Sequence, residues 1–518
     1  MPAEVPCARV VSFAKKTLED AAGSSSAVVS CPVVKGLSKL STKDAEERLH
    51  PILVQNGLSL PIELTPLSGD LDGFPRLKPL NFLQCMASEG KLNRLLGGRQ
   101  INTGGRDMLE EFWQRYEVVH PDFSFFLEDN KVDKGMCIPV FAHADGGRGY
   151  KKSEFMVFNW SSAIGSGTGK ANRKDNFSSR PLKRRKGMQV NLLGHTFGTH
   201  FMWGAAPAMW HKDDSHFQSM MTALGEDLKE CFDTGVLYQG QRLRLVCIGL
   251  KADLKLQARA GRLTRWYSTC RKSAYDPAKK NQTLGYCCWL CPAGSNDFPF
   301  EEVHAESPAW FKAMGQFAAT PPWKDGEVNG ILANSFSYMA QPAKFYLADL
   351  FHVYLAGFGQ DHAASCLVYM LGVTFDGSSV DTQLESLNAA WKLWRKFNKV
   401  STHTYTWTRN MLGFPNATTF PSGTWSKASD TAKIMEFILY MCDVYSDKIA
   451  GDRILYYIQV AGTALGTCMK GLYDADLWIE PGCYELYMIC PPDIKDLSNR
   501  SMIYKGKPST TRRFLEGV

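Results

Sequence analysis

The chain has 518 residues, of which 44% are hydrophobic and 21% charged, and a net charge of +7 from 59 Lys and Arg against 52 Asp and Glu. That balance excludes fibrous and wholly disordered material and leaves length for about two to four domains. No run of about 18 apolar residues occurs, which argues against a membrane span; the nearest stretch, Phe345 to Phe375, is broken by Asp349, His352, Gln360, Asp361 and His362.

The first 45 residues are rich in Ala, Ser and Val and contain Gly23-Ser24-Ser25-Ser26, which reads as a disordered tail. Lys15, Lys16, Glu19 and Asp20 fall where an export signal needs its apolar core. Without such a signal, the fifteen cysteines are expected as reduced thiols of a nuclear protein, with cytoplasm the other option. From 46 to 130 a small, mainly helical domain is expected, with Met108, Leu109, Phe112, Trp113 and Tyr116 on one helix face.

The next segment changes character. Cys137–Ala142, Glu154–Trp160 and Met188–Phe197 read as strands, a helix follows at 213–232, and Leu243–Leu250 reads as a fourth strand. Acids close the first and fourth strands, Asp145 and Asp253. Sites in α/β sheets gather at the carboxyl ends of strands. Two neighbouring carboxylates repel and favour a divalent cation; Mg²⁺ or Mn²⁺ takes such oxygen ligands and serves phosphoryl transfer. The plain alternative makes Asp145-Gly146-Gly147 a hairpin turn and Asp253 a helix cap.

Further on, Cys288-x-x-Cys291 has the spacing with which two thiolates grip Zn²⁺. His304, His352 and His362 are candidates for the second ligand pair, with Cys287 and Cys270 in reserve; the alternative is two buried cysteines beside Trp289. Arg180 to Lys186 carries Lys183, Arg184, Arg185 and Lys186, suited to nuclear import, phosphate contact or plain solvation. Lys255, Arg259 and Arg262 follow Asp253 at roughly helical spacing and suit a polyanion. The C-terminal region, 376–518, is expected to be helical, with Leu384, Leu387, Trp391, Trp394 and Phe397 facing inward.

The order Asp145, Asp253, Cys288-x-x-Cys291 and Asp349-Leu350-Phe351-His352 resembles the transposases of CACTA (En/Spm) elements over about residues 137–375. The resemblance implies an α/β fold: an RNase H-like mixed sheet, 131–375, with a Cys/His region inserted after the fourth strand, between helical N- and C-terminal parts. In such a sheet the first and fourth strands are neighbours, so their acids converge. It further implies metal-binding catalytic acids at Asp145 and Asp253, structural zinc on Cys288, Cys291 and His352, and DNA as partner, and leaves a homo-oligomer open. The chain departs from the family where a Glu should follow the histidine: Val353, Tyr354 and Leu355 stand there. Asp349, Asp361 and Glu436 are the substitutes for the third acid. Two readings follow: metal-dependent DNA strand cleavage and joining, or a catalytically silent DNA-binding or chromatin descendant. An intracellular scaffold with an accidental acid pair is a third.

Overall fold

The computed structural model describes residues 7–22, 27–56, 58–59, 61–127, 132–148, 154–167, 188–192, 196–270, 285–302, 308–314, 322–323, 328, 330–416 and 419–478. The described part of the first 45 residues is helical, not a tail. Helices α1 (Cys7–Asp20) and α2 (Pro32–Ser38) pack on each other and on α3 (Ala45–Gln55). Val11 and Ala14 are buried at helical spacing, a short apolar stripe hidden by the Ala- and Ser-rich composition.

Helices α4 (Pro79–Ser88) and α5 (Arg106–Val119) occupy the expected N-terminal helical region. They do not form a core of their own. Leu83, Leu109, Phe112 and Trp113 belong to the same buried cluster as the sheet, and the indole of Trp113 donates to the carbonyl of Cys137 at 2.8 Å.

Among the described residues the sheet has six strands: β1 (Cys137–Arg148), β2 (Glu154–Ser162), β3 (Phe201–Pro207), β4 (Val236–Tyr238), β5 (Gln241–Ala252) and β6 (Tyr346–Ala348). Across it the order is β3-β2-β1-β5-β6, with β4 hairpinned onto β5. β1, β2 and β3 form an antiparallel meander, whereas β1–β5 and β5–β6 are parallel. The third strand differs from the expected Met188–Phe197: among the described residues of that run only Gln189–Val190 are strand, in a separate two-stranded ladder. Phe201–Pro207 takes the place because Phe201 and Trp203 alternate inward beside β2.

Helix α6 (Asp214–Thr234) covers one face, where Phe158, paired with Ala144, meets Phe217. Phe141, His143 and Asp145 stand at alternating positions and so point to the opposite face. After β5 comes α7 (Leu254–Ala260), then the chain that leads to β6.

Beyond β6 a distorted helical stretch, Phe351–Phe358, leads into α8 (Gly359–Thr374), α9 (Val380–Phe397), α10 (Asp430–Val444) and α11 (Arg453–Asp474). These build a second core from 363 to 458 around Trp391, Trp407 and Phe437. Leu384, Leu387, Trp391 and Trp394 face it as expected, but Phe397 is 87% exposed because it falls in the last turn, past the edge of the packed face. Leu477 and Trp478 then return to the first core: the Leu477 amide donates to the carbonyl of Met188 at 2.8 Å, and Trp478 lies 5.5 Å from Phe112. Among the described residues, no helix is long and apolar enough to cross a membrane.

Candidate active site at the ends of three strands

Asp145 sits near the carboxyl end of β1, in register with Val157 of β2. It is therefore not in a hairpin turn; pairing continues through Gly146 and Gly147 to Arg148. A side chain at Gly146 would meet nothing within 4 Å, so the backbone beside Asp145 is open to approach. Asp253 follows β5 immediately and does cap a helix: its Oδ1 accepts from the Leu256 amide at 2.6 Å. Capping occupies one oxygen of the carboxylate and fixes where the other points. Asp349 follows β6, whose parallel register (Ala348 against Ala252) puts it beside Asp253.

His352 draws the three acids together. Its Nδ1 lies 2.8 Å from an oxygen of Asp349 and its Nε2 3.9 Å from Asp145. The hydrogen bond to Asp349 raises its pKa against the opposing effect of burial, and the charges of Asp349, Asp145 and Asp253 add to the rise. Burial raises the pKa of Asp145; His352 and the Gly146 amide oppose this, and the neighbouring Asp253 and Asp349 reinforce it. Burial pushes Asp349 upward too, but the bonds from His352 and the Phe351 amide outweigh it and hold the carboxyl below its ordinary range.

One step deeper on the same face lies a polar tier that the sequence reading missed. His143 Nδ1 is 3.1 Å from the amide nitrogen of Asn159, its cross-strand partner, and its ring is 6.4 Å from that of His200. Burial, with Lys251 adding, pushes His143 down to about 4. Lys251, in register with His143, lies 4.5 Å over the ring of Phe141 and is lowered by burial. The signal was present: 141, 143 and 145 share one face of a strand whose other face is wholly apolar.

The other expected positions separate. Asp361 accepts from Ser422 at 2.7 Å, and Glu436 pairs with Lys433 at 2.7 Å on the exposed side of α10; neither joins Asp145 in the way Asp349 does. Arg259 is turned inward to α6, with Asp214 at 3.0 Å, the carbonyl of His211 at 2.8 Å and the ring of Phe217 4.1 Å away. It tethers two helices instead of presenting a free cation. Lys255 is exposed and Arg262 half-buried. Lys183, Arg184, Arg185 and Lys186 lie outside the described residues, as does His304.

Neither His352 nor His362 joins the cysteine pair. His352 is engaged with the acids, and His362 packs in the second core with its Nε2 3.6 Å from the Cys366 sulfur. Among the described residues, no three His, Cys, Asp or Glu side chains are arranged to hold a metal ion. The donor chemistry of Asp145, Asp253 and Asp349 nevertheless suits a hard divalent cation, because all three offer oxygen. No known family model matches the chain, and no curated protein matches it.

Proposed function

We propose that this chain is a transposase-like DNA-processing protein on an RNase H-like sheet, with Asp145, Asp253 and Asp349 as its acidic centre. One observation carries the reading: at the ends of adjacent strands β1, β5 and β6 stand three carboxylates, of which Asp349 and Asp145 lie 2.8 and 3.9 Å from one histidine whose charge Asp253 also favours. The sheet order supports it, since the first long strand neighbours the parallel strand that bears the second acid. Asp349 takes the place of the family's glutamate.

On this reading Asp145, Asp253 and Asp349 hold Mg²⁺ or Mn²⁺, which supplies charge stabilisation for phosphoryl transfer. Asp253 is aimed by its capping bond, and His352 orients Asp349 through Nδ1. The open backbone at Gly146 admits the DNA strand. Lys255 and the run Lys183–Lys186 contact phosphates, and that run also serves nuclear import.

A second reading, a catalytically silent DNA-binding or chromatin protein, is favoured by His352 standing among the acids as their counter-charge. Nicking of supercoiled DNA in Mn²⁺ separates the two. The catalytic reading expects wild-type nicking that Asp145→Asn abolishes while DNA affinity stays within about twofold. Nicking undiminished in Asp145→Asn removes that acid from the chemistry. DNA binding with no nicking by wild type establishes the silent reading.

A further inference from the structure

The polar tier behind the acids holds two hydrogen-bond donors that the protein itself does not use. Lys251 and His143 are in register on the neighbouring parallel strands β5 and β1. Lys251 is also in register with Leu347 of β6. Each of these three positions comes two residues before one of the acids Asp253, Asp145 and Asp349. At the rise of a strand, two residues span about 6–7 Å. Both side chains are half-buried.

The Lys251 ammonium lies 4.5 Å over the ring of Phe141, and among the described residues it makes no hydrogen bond or ion pair. The opposing charge it feels is that of Asp349, which is itself engaged with His352 at 2.8 Å. A long, flexible lysine beside carboxylates ordinarily folds onto one of them. Here the aromatic face holds the ammonium in place and leaves its three protons without an acceptor. His143 accepts at Nδ1 from the side-chain amide of Asn159 at 3.1 Å. With Nδ1 accepting that bond, the proton of the ring sits on Nε2, which has no partner among the described residues.

We propose that Lys251 and the Nε2–H of His143 form a phosphodiester-binding pair beside the acidic centre. The inference rests on the DNA-processing reading for the identity of its ligand, and on the geometry alone for the presence of an anion. A partly desolvated cation without an acceptor costs stability, and an anionic ligand removes that cost by supplying one. A phosphodiester fits the donor set. Its two non-bridging oxygens share one negative charge, so one can accept from the ammonium and the other from the imidazole. The three carboxylates cannot serve in its place, because the structure holds Asp349 on His352 and Asp253 on its helix cap. The unobstructed backbone at Gly146 leaves room for a strand to reach the pair past Asp145.

The test compares wild type with Lys251→Met, which keeps the apolar stem over Phe141 and removes only the charge. Melting temperatures are measured for the full chain alone, with Mg²⁺, and with Mg²⁺ plus a short oligothymidylate. Without ligand, Lys251→Met is expected to melt at or above wild type, since an unpaired cation has gone. Mg²⁺ should raise both proteins alike, because the acids are intact. The oligothymidylate should add a further rise in wild type and none in Lys251→Met. Its affinity, read by fluorescence anisotropy, should fall roughly tenfold in the variant and recover in part in Lys251→Arg. An equal oligothymidylate gain in wild type and Lys251→Met, or no gain in wild type, overturns the proposal. Should Lys251→Met not fold, acylation of wild-type lysines followed by mass spectrometry decides. The oligonucleotide should then protect Lys251 and spare the exposed Lys392, and equal labelling of Lys251 with and without it overturns the pair. The Mg²⁺ step reads the acidic centre separately: no rise in wild type counts against that centre, whereas a Lys251-dependent oligothymidylate gain stands without it.

Discussion

Asp227 shows how much one residue can be asked to do inside this protein. Its carboxylate, nearly fully buried on α6, accepts from Arg76 at 2.6 and 3.2 Å and from the Trp203 indole at 2.7 Å, with Lys78 3.8 Å away. Removing it strands a buried guanidinium and an indole donor, so Asp227→Ala should cost about 3–5 kcal/mol. Urea denaturation followed by tryptophan fluorescence measures this; an unmoved midpoint would show that the network contributes nothing. At the same scale, the acidic pair Asp145 and Asp253 was legible in the sequence because each acid closes an apolar run. Asp349 was legible only as one of three substitutes, because its place depends on a three-residue strand that no local pattern marks. His143, Asn159 and Lys251 escaped notice because each looks like an ordinary polar residue until three strands are laid side by side.

Among the elements, the join between α6 and β4 has the least freedom. Gly235 lies there with φ +58°, and a Cβ would come within 2.7 Å of the Leu243 carbonyl oxygen across the hairpin. Gly235→Ala must therefore strain the backbone and push the β4–β5 ladder apart, at a cost of roughly 1–3 kcal/mol. A melting temperature equal to that of wild type would refute the claim. Strands β1, β2 and β5 could be read in advance because their apolar runs are compact and bounded by turn residues. β3 could not: Gly204, Ala205, Ala206 and Pro207 dilute its pattern, while the neighbouring Met188–Phe197 is as apolar. Burial beside β2 decided between them, and that is a tertiary effect. The helices from 380 onward were legible as a helical region because their apolar spacing is long and regular.

For the molecule as a whole, the histidines set an acid limit. Burial lowers the pKa of His120, His143, His200, His211 and His362, with His143 at about 4. The unfolded chain binds protons at these sites near pH 6.5, before the folded chain does. Their stability contribution is thus complete above about pH 6.5 and is lost as pH falls through the lower folded values. His352, shifted upward, acts in the opposite sense: its contribution is present below about pH 6.5 and fades as pH rises through its folded value. Five against one, the melting temperature should fall from pH 7.5 to pH 5 in calorimetry, and a flat or rising profile would contradict the assignment. The two cores add a different property. The chain leaves the sheet after β6, builds the second core, and comes back to seat Leu477 and Trp478 on the first. The helical unit is therefore tethered at both ends, so that even when its packing loosens, its local concentration at the sheet is set by two short connections and not by diffusion.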